Sequence, residues 1–203
     1  MKKLLVINAS LQGSEGNSSK LSASFVDALA QVTSIDVTHL DLNAENLPHL
    51  TANEMAAWQT AEAERTPQQI ELASYSERYI KLVREADYIV MGVPMYNFDS
   101  PSVLKAFFDR IARAGITFSY TENGPVGLMK DKKVFVLAAR GGKYEGTTMD
   151  TQSAYLRNFL AFLGMENVEF AYAEGLAMGE ESVSQSFSLF NEKISELIKN
   201  LED

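Results

Sequence analysis

The sequence predicts an α/β chain whose five strands form a doubly wound parallel sheet with helices on both faces. Two observations carry that expectation. Short apolar runs alternate with longer segments whose apolar residues recur at helical spacing, the βαβ pattern that leads to a parallel sheet. One run, Tyr88 to Val93, is apolar at nearly every position, as a strand covered on both faces must be. Parallel crossovers are right-handed, which distributes the helices over both faces.

The elements follow in order. Leu4 to Ile7 is a first buried strand, and a loop rich in Ser, Gly and Asn runs from Ser10 to Ser19. A helix follows with Leu21, Phe25, Ala28, Leu29 and Val32 on one stripe. Ile35, Val37 and Leu40 alternate with polar residues, placing the second strand nearer an edge. A long excursion, Asn43 to Arg65, holds a helix around Trp58 within Thr51 to Glu64. Thr66-Pro67 starts the next helix as N-cap and first helical residue, with Ile70, Leu72, Ala73, Tyr79, Ile80 and Val83 on its stripe. After Val93, Pro94 is expected to stop the ladder. Ser100-Pro101 repeats the cap signal before Val103, Leu104, Phe107, Phe108 and Ile111. Gly115 to Lys130 reads as a loop, Val134 to Ala139 as the fourth strand, Tyr155 to Leu163 as a helix, Val168 to Ala173 as the fifth strand. Val183 to Leu201 carries the apolar stripe of a terminal helix.

Length and composition bound the rest. The chain has 203 residues and 46% hydrophobic content, enough for one well-buried core, and no linker divides it. One domain over residues 1–203 is expected. The net charge of −9 argues against nucleic acid and against an anionic membrane surface. There is no cysteine, so disulfides, thiolate metal sites and a thiol nucleophile are excluded; the two histidines, His39 and His49, belong to no ligand cluster, so no metal is expected. The apolar run after Lys2-Lys3 is too short for a secretory signal, and no run reaches membrane-spanning length; a cytoplasmic protein is expected.

Ligands on doubly wound sheets bind beyond the C-terminal ends of the strands. Three loops meet that description. Ser10 to Ser19 precedes a helix N-terminus, where free amides and the helix dipole favour an anion. It carries hydroxyls and no lysine, and neither a nucleoside-triphosphate loop nor a dinucleotide fingerprint, which suits one terminal phosphate monoester. Taken alone, it also suits a plain helix cap. Met95-Tyr96-Asn97-Phe98 offers flat faces and an amide to a planar heterocycle such as a flavin. Ala139-Arg140-Gly141-Gly142 has adjacent glycines whose conformational freedom aims successive amides at one acceptor; Arg140 either assists there or is a surface cation. Ile116 to Pro125 alternates like a strand and turns at Asn-Gly-Pro, an arm suited to a subunit interface or to covering a site.

Together these segments, with Lys105-Ala106-Phe107-Phe108-Asp109, Arg113-Ala114-Gly115 and Phe118 to Leu128, resemble the FMN-dependent NADH-azoreductase family, also described as quinone reductases, within the flavodoxin-like superfamily. The resemblance spans nearly the whole chain. It implies a homodimer with one FMN per subunit near the interface and NADH as donor. Carried onto matching positions, it gives the phosphate to Ser10, Gly16, Asn17 and Ser18. The isoalloxazine falls to Met95, Tyr96, Asn97 and Phe98, with the Asn97 amide at N5. The pyrimidine edge falls to Ala139, Arg140, Gly141 and Gly142, and the substrate face to Tyr120 and Phe162, either of the same subunit or of the partner. Glycine at position 16 departs from relatives with a polar side chain there, so any contact must come from backbone. The implied activity is ping-pong, two-electron reduction of quinones and aromatic azo compounds. A flavodoxin-type electron carrier needing a protein partner is the alternative, and a non-catalytic module on the same fold a third reading.

Overall fold

A computed structural model of the protein describes residues 1–201. Its elements are β1 (Lys2–Asn8), α1 (Asn17–Val32), β2 (Ile35–Asp41), α2 (Ala52–Gln59), α3 (Pro67–Glu85), β3 (Tyr88–Pro94), α4 (Ser102–Ile111), β4 (Phe118–Thr121), β5 (Gly124–Gly127), β6 (Lys133–Ala139), α5 (Thr151–Phe162), β7 (Asn167–Ala173) and α6 (Glu180–Lys199). Five strands form a parallel sheet in the order β2-β1-β3-β6-β7. The chain leaves β1 for β2 on one side and reaches β3 on the other, so the crevice between the loops after β1 and β3 is the switch point. The doubly wound expectation holds, and alternating β2 is indeed an edge strand.

Each face of the sheet has its own core. Leu4, Val6, Val90, Phe135 and Leu137 meet Leu21, Phe25 and Leu29 of α1 and Phe190, Ile194 and Leu197 of α6. Leu5, Ile7, Ile89, Met91, Val134 and Val136 meet Tyr79 and Val83 of α3, Leu104 and Phe107 of α4, and Leu156 and Leu160 of α5. Central strands β3 and β6 are buried at every position but the first, which is why their sequences do not alternate. The helix starting at Pro67 has the full reciprocal cap: the Gln69 amide donates to Thr66 Oγ1 (3.3 Å) and the Thr66 amide to Gln69 Oε1 (3.0 Å).

Pro94 ends β3 as expected, although it is itself the last paired residue. It stands in register with Ala139, and the next amide, Met95, still donates to Ala139 O (3.0 Å). Ladder alternation turns the Pro94 nitrogen toward β1, whose pairing with β3 has already ended at Asn8–Gly92, so no bond is lost. Several local expectations are corrected. Ser100 does not cap α4. Pro101 is the capping residue, its carbonyl receives Leu104 N and Lys105 N, and Ser100 Oγ has no partner among the described residues. Val32 and Ile70, assigned to apolar stripes, are exposed because each lies at a helix end beyond its neighbours' cover. The loop Gly115 to Lys130 contains an antiparallel hairpin, β4–β5, outside the main sheet. Its base is fixed by backbone contact: a Cβ on Gly127 would lie 2.0 Å from Gly164 N, so only glycine lets the hairpin meet the end of α5.

Candidate functional site

A cleft of about 230 Å³ opens at the C-terminal ends of β1, β3, β6 and β7. Ser10, Asn17, Ser18, Met95, Tyr96, Ala139, Arg140 and Gly141 line it, together with Gln12, Leu176 and Ala177. Eight of the residues singled out in the sequence thus meet around one cavity, although they come from three loops.

The first wall is the start of α1. Its capping residue, Gly16, supplies no side-chain acceptor. The amides of Asn17, Ser18 and Ser19 find no acceptor among the described residues, and the buried hydroxyls of Ser18 and Ser19 have no partner. Buried polar groups are normally paired, so this concentration of orphan donors at a helix N-terminus marks an anion position. Gly16 has a clear role: a Cβ there would lie 2.0 Å from Ser10 Oγ. Its amide is already committed to Gly13 O (3.2 Å), so the free backbone donors begin one residue later, at Asn17.

The second wall is the turn Tyr96–Asp99. The Tyr96 amide donates to Asp99 O (2.9 Å) and the Asp99 amide to Tyr96 O (3.1 Å). Both central residues have positive φ, 51° at Asn97 and 67° at Phe98, the signature of a type I′ turn. For a bulky non-glycine residue that backbone is strained, at roughly 1–3 kcal/mol, and such strain collects at functional sites. The turn leaves the Asn97 and Phe98 amides without protein acceptors among the described residues and holds the Phe98 ring 45% exposed at the rim. The Tyr96 hydroxyl reaches across to accept from Leu11 N (3.4 Å), linking the first two walls.

The third wall follows β6. The Gly141 and Gly142 amides also lack protein acceptors, while their carbonyls receive Ala177 N (3.0 Å) and Gly175 N (2.9 Å). Neither glycine has positive φ, so conformational freedom is not what selects them. A Cβ on Gly142 would lie 2.7 Å from the Tyr144 hydroxyl and would displace that side chain, whose ring meets Phe98 edge-on at 5.7 Å, while a Cβ on Gly141 would meet only Ala177 at 3.4 Å. Arg140 is not a surface cation. Its guanidinium is fully buried, bound to Asp150 (2.9 Å), Glu174 (3.0 Å), Ser153 (2.8 Å) and Gln152 (3.3 Å), and packed on the Tyr172 ring. Only its backbone can face the cleft. Asp150 is held below the ordinary carboxylate value: burial is the largest influence and pushes upward, but the Ser153 amide and the Arg140 guanidinium outweigh it.

Tyr120 and Phe162 do not join this cavity. Phe162 packs on Phe118 (4.4 Å), Tyr120 meets Phe118 edge-on (5.5 Å), and the hairpin borders the first residues of β1, β3, β6 and β7, at the opposite end of the sheet. Tyr120 is 74% exposed. The sequence reading missed Leu176 and Ala177, although the loop after the fifth strand satisfies the same end-of-strand rule; it also missed Tyr144, which follows the paired glycines by one residue. A larger groove, about 360 Å³ between β7 and α6, has Lys143, Lys193, Glu145 and Glu174 on its wall. The orphan donors, not cavity size, single out the smaller cleft.

A doubly wound sheet with unpaired donors gathered at its switch point has the arrangement in which open α/β folds place a ligand. The chain belongs to the flavodoxin-like fold family, whose model matches residues 2–198. An FMN-dependent NADH:quinone oxidoreductase of Alteromonas mediterranea is 52% identical over 199 residues, covering 98% of this chain and 100% of its own. One from Pseudoalteromonas atlantica is 48% identical, with 98% of each chain covered. Among solved structures, an azoreductase from Bacillus anthracis superposes with a TM-score of 0.89 at 28% identity, covering 98% of this chain and 100% of that one. An FMN-dependent NADH-azoreductase from the same species, solved in complex with FMN, gives a TM-score of 0.86 at 26% identity, covering 98% and 100%.

Proposed function

We propose that the protein is an FMN-dependent oxidoreductase that takes electrons from NADH and reduces quinones and aromatic azo compounds. One observation carries the reading: donors without protein acceptors among the described residues gather at one cleft, which Asn17, Ser18 and Gly141 line and which Ser19, Asn97, Phe98 and Gly142 adjoin along the chain. The residues present fit FMN. Asn17, Ser18 and Ser19 would hold its phosphate through amides and hydroxyls, with Ser10 and Gly16 shaping the space. Met95, Tyr96, Asn97 and Phe98 would flank the ring, the Asn97 amide steadying N5. The Gly141 and Gly142 amides would meet the pyrimidine edge and stabilise negative charge there, an oriented-dipole effect. Bound FMN supplies the chemistry, accepting a hydride from NADH and passing two electrons to the acceptor.

Tyr120 and Phe162 serve the substrate face only across a subunit boundary. The reading therefore includes a homodimer in which the hairpin, with exposed Tyr120, Val126 and Leu128, meets the partner's cleft. The same reading keeps the enzyme in the cytoplasm, where NADH is at hand. Among the described residues no helix is long and apolar enough to cross a membrane.

The visible spectrum of the purified protein, taken before and after anaerobic NADH, tests the proposal. A flavin spectrum that bleaches with NADH and recovers with a quinone is the expected result. A flavin spectrum indifferent to NADH would point to an electron carrier, and no FMN uptake at all would reject the site.

A further inference from the structure

Two walls of the cleft, the Tyr96–Asp99 turn and the Gly141–Gly142 nest, are joined through one side chain that lines neither. Gln152, in the first turn of α5, is fully buried. Its Nε2 donates to Pro94 O (3.0 Å) and Asp99 O (3.3 Å), the carbonyls that bracket Met95 to Phe98. Its Oε1 accepts from Arg140 Nε (3.3 Å), the residue that precedes the nest. Its neighbours reinforce the tie: the Thr151 hydroxyl donates to Phe98 O, and Asp150 takes the other side of the Arg140 guanidinium. Asp99 O is otherwise bonded only to Tyr96 N, and Pro94 O has no other donor among the described residues.

From this geometry we infer that Gln152 is a positioning residue that sets the strained turn against the amide nest and so fixes where the Asn97, Gly141 and Gly142 amides lie relative to a shared ligand. Asn97 suits a positive φ, but Phe98, a bulky residue at the second central position of the type I′ turn, does not and must be held there by its surroundings. A side chain that donates to carbonyls at both ends of the segment does that. Arginine at 140 alone cannot, because its remaining side-chain hydrogen bonds run to Asp150, Ser153 and Glu174. The inference rests on the FMN reading above.

FMN titration of the stripped wild-type protein and of Gln152→Leu, Gln152→Glu and Ser76→Ala, followed by flavin fluorescence quenching, is the test, with midpoint potentials and melting temperatures in parallel. Gln152→Leu keeps the volume and loses all three bonds. Gln152→Glu keeps the acceptor for Arg140 and turns lone pairs toward Pro94 O and Asp99 O. Ser76→Ala removes a different buried bond, to Arg110 O (2.6 Å), far from the cleft. The expected result is an FMN Kd raised about tenfold or more in both Gln152 variants. A tenfold change in the relative affinity for the two redox forms is about 30 mV for a two-electron couple, and a shift of that size is expected as well. Ser76→Ala lowers the melting temperature yet leaves Kd and potential unchanged. A folded Gln152→Leu protein with wild-type Kd and potential would overturn the inference, as would Ser76→Ala moving both equally. Failure of both Gln152 variants to fold would reassign Gln152 to general core support. Failure of the wild-type protein to take FMN would instead sink the functional reading, and the same titration shows it.

Discussion

Two buried arginines show how differently this fold treats charge beside the cleft and away from it. Arg140 and Arg110 are both wholly inside the protein. Arg140 sits behind the cleft with two carboxylates, a glutamine, a hydroxyl and an aromatic face around it. Glu174, one of its partners, also accepts from Tyr144 N (2.9 Å) and Glu145 N (3.0 Å), so the loop that carries Tyr144 hangs on the same network. Arg110 lies under the excursion between β2 and α3, paired with Glu54 (2.7 Å) and bonded to Pro48 O and Ala106 O, both at 3.0 Å. Its neighbour Arg113 donates to Trp58 O (3.3 Å) and lies over the Trp58 ring. Glu54 Oε1, Arg110 Nε and Trp58 Nε1 remain without partners among the described residues. The contrast is between a saturated network that aims backbone groups into a cavity and an incompletely satisfied clamp that fastens a long connection to α3 and α4. A buried ion pair is weak evidence for net stability, so its value lies in what it orients.

Breaking that contrast at its strongest point, Arg140→Met leaves Asp150 and Glu174 buried without a counter-charge. It should cost at least about 3–5 kcal/mol in denaturant unfolding and abolish FMN retention on gel filtration. Arg110→Met should cost a similar or slightly smaller amount, about 3–5 kcal/mol, because Glu54 is stranded. Its folded fraction should bind FMN with wild-type Kd, and adding Glu54→Leu should recover most of the loss. If Arg110→Met weakens FMN as much as Arg140→Met does, the two regions are not functionally separate. Gly16→Ala drives a Cβ into Ser10 Oγ and should raise the FMN Kd about tenfold, or ~1.4 kcal/mol, with little change in folding.

Acid sharpens the comparison further. The Asp150 carboxyl titrates below its unfolded value of about 3.9, so its contribution is complete above that pH and disappears as pH falls through the lower folded value. Asp150→Asn should therefore flatten the acid limb of the stability curve below about pH 4, measured by urea midpoints across pH. The smallest effect is expected at Tyr155. Its buried hydroxyl has no partner among the described residues, and burial, then the charges of Asp109 and Asp99, push it up to about 12. Tyr155→Phe should raise stability by up to ~1 kcal/mol and leave FMN binding untouched.

Alternating and continuous apolar runs follow from one or two covered faces, so β2 and β3 could be told apart before any contact was known. The Thr66–Gln69 box likewise depends on residues three apart. Loop residues around the cleft were legible for the same reason: each sits directly after a strand, and strand ends converge in a parallel sheet. What the sequence by itself determined was therefore the five strands of the main sheet, the class of sheet and three of the loops that face its C-terminal edge, because each rests on local spacing.

Tertiary structure alone decided the rest. Arg140 turns inward because Asp150, Glu174 and Gln152, 10 to 34 residues away, supply its partners, and no local pattern announces that. Glycine at 16 is set by the Ser10 side chain and not by backbone angle, and a side chain at 142 would push the Tyr144 ring aside. Tyr120 and Phe162 are placed at the far end of the sheet by the Gly127–Gly164 contact. Long-range packing sets these features, since a side chain's direction depends on which distant groups can satisfy it.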